Sequence, residues 1–177
     1  MSSHFVIKMS KPKQKKTFKR EIVEVIAAFF IAWLAYQMLA AVTGTPLPVV
    51  SVVSDSMYHT DGFDEWWTAN TQDYNQFGIN EREFREFPNV NGLSRGDLLF
   101  VMKPDNPKIG DILIYRKFGS DFTIVHRLVS AEDAYITKGD NNRAADPPVA
   151  QQHVVGKVVF AVPVLGYPRL LLHMVGI

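Results

Sequence analysis

The chain has no cysteine among its 177 residues. That absence removes disulfides, thiol nucleophiles and cysteine-based metal sites together, and leaves the redox compartment open. Close ligand spacings of the HExxH kind are also missing, so the residues imply no metal and no cofactor. Acidic side chains are absent until Glu21, while Lys8, Lys11, Lys13, Lys15, Lys16, Lys19 and Arg20 precede it. Removing those seven charges turns the net +1 of the chain into −6. A basic arm of this kind can serve nucleic acid or membrane, and the segment next to it decides which. What is plentiful is apolar: 47% of residues are hydrophobic and 12% aromatic, enough for a core and too much for global disorder.

From Ile22 to Thr43 the chain reads IVEVIAAFFIAWLAYQMLAAVT, with no glycine or proline and only Glu24 and Gln37 strongly polar. At about 1.5 Å per residue such a run crosses a hydrocarbon layer of about 30 Å. Glu24 lies near one end, where its carboxylate reaches the interface. The spacing therefore predicts a transmembrane helix over 22–43. The basic arm, 1–21, is expected on the cytoplasmic side, with residues 45–177 on the outer side. That assignment removes nucleic acid as a partner and makes membrane lipid one. A cleavable signal peptide has similar ingredients, but its apolar core spans about 7 to 15 residues. The longer run here predicts a retained anchor.

After Gly44 and Pro46 the pattern changes to short β-rich runs between turn residues: Val49–Val53, Asp97–Met102, Asp111–Tyr115, Thr123–Ser130, Ala134–Thr137 and Val154–Val162. They predict a mainly β, antiparallel domain over 44–162. Residues 61–94 interrupt it. There Phe63, Trp66, Trp67, Tyr74 and Phe77 recur near helical spacing, with Asp61 placed to cap the start and Gly78 to close the end, which reads as a helical insertion. The tail 163–177, PVLGYPRLLLHMVGI, is apolar but broken by Pro168, Arg169 and His173, and predicts a membrane-associated amphipathic segment or a packed terminal helix rather than a second span.

Chemistry starts from VVSVVSDSMYHT at 49–60, where an apolar run breaks into Ser54, Asp55 and Ser56. Serine and aspartate end strands by bonding local backbone, so a polar turn explains them without function. A serine that attacks a carbonyl needs a base within reach. His4 lies in the arm and His173 in the tail, leaving His59, His126 and His153. His126 projects from TIVHRLVS, where period-two alternation puts Ile124, His126 and Leu128 on one face, so its ring is rigidly held. The loop after the next strand, YITKGDNNRAADPP, carries Asp140 and Asp146, either of which can accept from the second ring nitrogen. Turn chemistry at Gly139-Asp140-Asn141 is the structural alternative.

Taken in order, SDSM at 54–57, RGDLLFV at 95–101, VHR at 125–127, KGDNN at 138–142 with Asp146, and GKVVFAVPVLGYP at 156–168 resemble the type I signal peptidases. The branch resembled is the archaeal and endoplasmic-reticulum one, in which histidine stands where bacterial enzymes carry a catalytic lysine, and the match covers most of 22–168. The resemblance implies an antiparallel β domain of signal-peptidase type with an N-terminal transmembrane helix and a helical insertion. It implies a serine endopeptidase that removes signal peptides from exported preproteins, with small residues at the first and third positions before the cut. Ser56 would be the nucleophile, His126 its general base, and Asp146 or Asp140 the acid that orients it. Ser56 N–H and the Ser54 hydroxyl would form the oxyanion hole.

The chain departs from the family pattern where Asp55 stands between the serines in place of glycine, and where His59 stands in place of a proline. Asp55 would oppose a developing oxyanion if it pointed inward, so it is expected to face solvent. A noncatalytic anchored β domain that binds exported chains or a partner subunit needs the same anchor and sheet without the convergence of Ser, His and Asp. A self-cleaving regulator could use Lys103 or Lys117 as base, a reading the apolar run argues against.

Overall fold

The computed structural model describes residues 18–117, 119 and 122–174. The basic arm through Thr17, with His4, and the last three residues of the tail lie outside the described residues, as do the side chains of Arg169 and His173. The chain divides into two compact units, residues 1–37 and 38–177.

Helix α1 (Phe18–Thr43) starts four residues before the apolar run, because Phe18, Lys19, Arg20 and Glu21 are all compatible with a helix. Arg20 Nε donates to Glu24 Oε1 at 2.9 Å, one turn along. No α1 residue is buried, and Phe29, Phe30, Ile31 and Trp33 are all exposed, a surface that water does not favour. The helix is long and apolar enough to cross a membrane. Gly44, with φ of 67°, ends it in the left-handed region. The Thr43 carbonyl then accepts from Lys103 N at 2.8 Å.

The second unit is built on one six-stranded antiparallel sheet, and the protein is mainly β. In chain order the strands are β1 (Val49–Ser51), β2 (Leu98–Met102), β3 (Ile112–Arg116), β4 (Thr123–Ser130), β5 (Ile136–Lys138) and β6 (Val154–Val162). Across the sheet they run β1-β2-β6-β3-β4-β5. Strand β3 reads ILIYR and buries its first four residues in succession, the pattern of a strand covered on both faces. Register shifts interrupt β2 against β6, β3 against β6, and β4 against β5, which bends the sheet. The main apolar cluster joins Val52, Met57 and Leu93 to Leu99, Val101, Ile112, Ile114 and Val158.

Between β1 and β2 the chain forms α2 (Phe63–Asn75) and the single turn α3 (Glu81–Phe84). Asp61 does not cap α2. Gly62 occupies that position with no side-chain bond, and Asp61 itself takes a φ of 60°. Gly78 does close the segment, with φ of 74° and its N–H on the Asn75 carbonyl at 2.9 Å. The aromatics make a second core in which Phe63, Trp66, Trp67, Tyr74, Ile79 and Phe84 pack with Val129 of β4. Tyr74 and Phe84 meet edge to face at 4.8 Å, a geometry worth about 0.5–1.5 kcal/mol beyond area burial. Phe87 lies against Gly110, where a Cβ would stand 2.3 Å from the ring, so the close approach requires glycine. The tail forms α4 (Tyr167–Met174), with Leu170 buried and Leu171, Leu172 and Met174 exposed.

Candidate functional site

The segment after β1 is pinned on both sides. Val52 N donates to the Asp97 carbonyl at 2.9 Å, and Leu93 N donates to the Met57 carbonyl at 2.8 Å. Met57 is 1% exposed and serves as the anchor of the turn; Ser54 is exposed and Ser56 half-buried. Their hydroxyl oxygens are 3.1 Å apart. Asp55 points outward and pairs with Arg95 at 2.6 Å, both side chains about half exposed.

His126 sits in β4 opposite Leu113 of β3. The residue is 6% exposed, and Nδ1 lies 2.6 Å from Asp146 Oδ2. The carboxylate is oriented in turn: Asp146 N donates to the Thr137 carbonyl at 2.7 Å, and the Thr137 hydroxyl donates to Oδ2 at 2.8 Å. The Tyr115 hydroxyl lies 3.1 Å from that of Thr137. Burial opposes ionisation of Asp146, but the His126 hydrogen bond and charge, with the hydroxyls of Thr137 and Tyr115, outweigh it and hold the carboxyl below its usual range. Burial pushes the Tyr115 phenol up, so it stays a neutral donor.

The two halves meet over Gly139. A Cβ on this residue would stand 2.8 Å from His126 Nε2 and 2.8 Å from the Ser56 carbonyl oxygen. Those two atoms are therefore within twice that distance of each other, and only a residue without a side chain fits between them. Ser54, Ser56, Met57, His126 and Asn142 line one open cleft of about 320 Å³, together with the end of β1 and the residues after it, Val50 to Val53. Among the described residues the Ser56 hydroxyl bonds Ser54 rather than His126 Nε2.

Asp140 is elsewhere. It is fully buried, and its carboxylate accepts from Arg127 Nε at 3.0 Å and Nη2 at 2.7 Å, from Tyr74 at 2.8 Å, and from His59 Nε2 at 3.0 Å. Burial alone would raise its pKa, but Arg127 and His59 outweigh that and hold the carboxyl far below the usual range. For the Arg127 guanidinium, burial favours loss of charge and Asp140 more than offsets it. Of the two acids that sequence could not rank, the structure brings Asp146 to His126 and turns Asp140 to Arg127. His59, the second candidate base, is stacked on Trp66 with centroids 3.6 Å apart and does not line the cleft. His153 lines a second cavity beside Asp146, with Lys117; neither reaches the Ser56 cleft, and Lys103 pairs with Asp105 at 3.5 Å on the surface. Among the described residues no cluster of His, Asp and Glu is arranged to hold a metal ion.

Sequence reasoning missed Arg127, Thr137 and Tyr115. A signal for Arg127 existed: a charge inside the apolar strand TIVHRLVS is compatible with burial only beside a buried acid. Nothing comparable marks Thr137 and Tyr115, whose role depends on strands β3 and β5 both flanking β4.

Fold and site together define a mainly β protein with a serine and a histidine lining one cleft and an aspartate bonded to the histidine, joined in sequence to a long apolar helix. No family model matches the chain. Curated relatives do. The chain is 27% identical over 186 residues to the signal peptidase complex catalytic subunit SEC11 of Tuber melanosporum, covering 92% of this chain and 81% of the relative. It is 27% identical over 180 residues to the protein of the same name in Sclerotinia sclerotiorum, with 93% and 84% covered. For that of Verticillium alfalfae the values are 28% over 157 residues, with 80% and 73% covered. The resemblance to type I signal peptidases of the archaeal and endoplasmic-reticulum branch thus extends over most of the chain.

Proposed function

We propose that this protein is a membrane-anchored serine endopeptidase that removes N-terminal signal peptides from exported preproteins. The observation that carries the proposal is the placement of His126, bonded to Asp146 on one side and lining one cleft with Ser56 on the other. The relatives named as signal peptidase catalytic subunits support the substrate class.

In this reading Ser56 rotates from Ser54 toward His126 Nε2, a movement in keeping with the looser geometry of sites without substrate. His126 takes the hydroxyl proton as Ser56 attacks the scissile carbonyl. Asp146 fixes the Nδ1–H tautomer and stabilises the imidazolium that forms. Ser56 N–H and the Ser54 hydroxyl donate to the oxyanion, each such donor being worth about 2.7–4 kcal/mol of barrier. His126 then protonates the leaving amine, and water releases the acyl group from Ser56 by the reverse proton path. The exposed edge of β1 in the cleft suits an extended substrate that pairs through its backbone.

Residues 22–43 act as the anchor, with arm 1–21 on the cytoplasmic side, the catalytic domain 44–162 on the other side, and 163–177 in the interface. The anchor holds enzyme and preprotein in one membrane plane, which raises their effective concentration. Signal peptides and lipid are the partners this requires.

The test is cleavage of a preprotein in detergent, with the new N-terminus of the product sequenced. Ser56→Ala and His126→Ala are expected to leave no product while the protein still folds. Full cleavage by Ser56→Ala would remove the proposal, and capture of intact preprotein with no Ser56-dependent product would mark a binding domain instead. His126→Lys is expected to be inactive, because a lysine base must be neutral and the Asp146 carboxylate beside this position would hold the ammonium charged.

A further inference from the structure

The insertion between β1 and β2 does more than form a second core: its side chains hold the loop that sets the geometry of the Ser56 peptide. Asp140 lies at the centre of that loop, and its backbone and side chain are both held. Trp66 Nε1 of α2 donates to its carbonyl at 3.2 Å, and its N–H lies 3.4 Å from the Met57 sulfur. Tyr74 of α2 and His59, just before α2, donate to its carboxylate, one to each oxygen. Arg127 completes the set and also donates to the carbonyls of Pro88 and Asn89 at the far end of the insertion, at 2.8 and 3.0 Å.

The next residue links this loop to Ser56. Asn141 N donates to the Ser56 carbonyl at 2.8 Å, and Asn141 Nδ2 donates to the Asp55 carbonyl at 3.1 Å. Tyr58 N donates to the same Asp55 oxygen at 3.0 Å. The Asp55 carbonyl and the Ser56 N–H belong to one planar trans peptide, so two donors that fix the oxygen also fix the opposite direction of the N–H. That N–H is the donor the proposed reaction needs for its oxyanion. Gly139, on the other side of Asp140, packs against both the Ser56 carbonyl oxygen and His126 Nε2, where a Cβ would stand 2.8 Å from each.

His59 bears a cost that this role explains. With Nε2 on the Asp140 carboxylate, Nδ1 is buried with no partner among the described residues. An unpaired buried polar atom is unfavourable, and core packing alone would be served better by an apolar ring at this position. We infer that His59, Trp66 and Tyr74 are positioning residues, through which the insertion aligns the Ser56 peptide for catalysis. The inference rests on the peptidase reading and assigns the insertion its part in it.

The experiment uses the full chain in detergent with a preprotein substrate. Tyr74→Phe keeps the ring and removes one donor to Asp140; Trp66→Phe removes the donor to its carbonyl. Each is expected to lower kcat about ten- to a hundredfold with KM within about twofold, at a temperature where both variants remain folded. The rate at which a small fluorophosphonate labels Ser56 is expected to fall in parallel, since it reports the geometry of Ser56 without a bound peptide. His59→Ala is expected to lose activity and His59→Gln, which retains an Nε2 donor, to regain part of it. Lower melting temperatures with kcat and labelling rate unchanged would make these residues structural only and overturn the inference. Ser56→Ala run alongside separates the two levels: if it is inactive and Tyr74→Phe is not, only the positioning role fails.

Discussion

Asp140 and Asp146 follow the same strand, β5, and differ in what ionises beside them. Asp146 faces an imidazole at the edge of an open cleft; Asp140 faces a guanidinium in the interior. The same substitution therefore has different consequences at the two positions. Asp146→Asn offers His126 an amide that can donate to Nδ1, which moves the ring proton to Nε2 and prevents it from accepting from Ser56. The expected result is a loss of about 10⁴-fold in kcat on a preprotein, with little change in melting temperature. Asp140→Asn leaves Arg127 charged and buried without its counterion, at a cost of about 3–5 kcal/mol that thermal melting will read. Equal loss of stability in the two variants would contradict this division. Sequence reached both acids but could not choose between them, because the choice depends on Arg127. Its neighbour His126 projects to the cleft while Arg127 projects to the opposite face, a consequence of strand alternation that becomes specific only when α2 covers that face.

The strands were legible because alternation and turn residues fix them locally: Thr123–Ser130 and Val154–Val162 have the bounds that their patterns predict. Val49–Val53 shortens to Ser51 because residues beyond it leave the sheet to bond Asp97 and Gly96. The start of α2 was not legible, since Asp61 is the better capping residue by type and the backbone turns at Gly62 instead. Nor was the link from the insertion to the site, which runs through three side chains distant in sequence from Asp140. That link has a pH signature. Asp140 is ionised in the folded state with its pKa depressed, so its contribution is complete above the ordinary carboxylate value of about 3.9 and is lost as pH falls through the folded value. Asp146 acts in the same direction and window, being likewise depressed. Melting temperature is expected to be steady from about pH 7 down to pH 5 as far as these two acids are concerned, and to fall steeply below about pH 4. In Asp140→Asn the acid limb is expected to be shallower from a lower starting point. An acid limb as steep as that of the unmodified protein would show that another carboxylate carries it.

At the scale of the whole chain, the absence of cysteine turns the proposed topology into a simple measurement. A single introduced cysteine is the only thiol, so its labelling reports one position without background. Asp133 lies in the exposed turn between β4 and β5, far in sequence from the apolar run, and tolerates a small side chain there. Ser3 lies in the basic arm. The excess of positive charge before α1 predicts that the arm stays in the cytoplasm while residues after Thr43 cross. In intact cells, a membrane-impermeant maleimide is expected to label Asp133→Cys directly and to label Ser3→Cys only after lysis. The reverse pattern would put Ser56 and His126 on the side of the membrane from which preproteins depart, where removal of a signal peptide after export could not occur. Labelling of both positions in intact cells would mean that residues 22–43 do not span, and the effective-concentration argument for the anchor would fail with it.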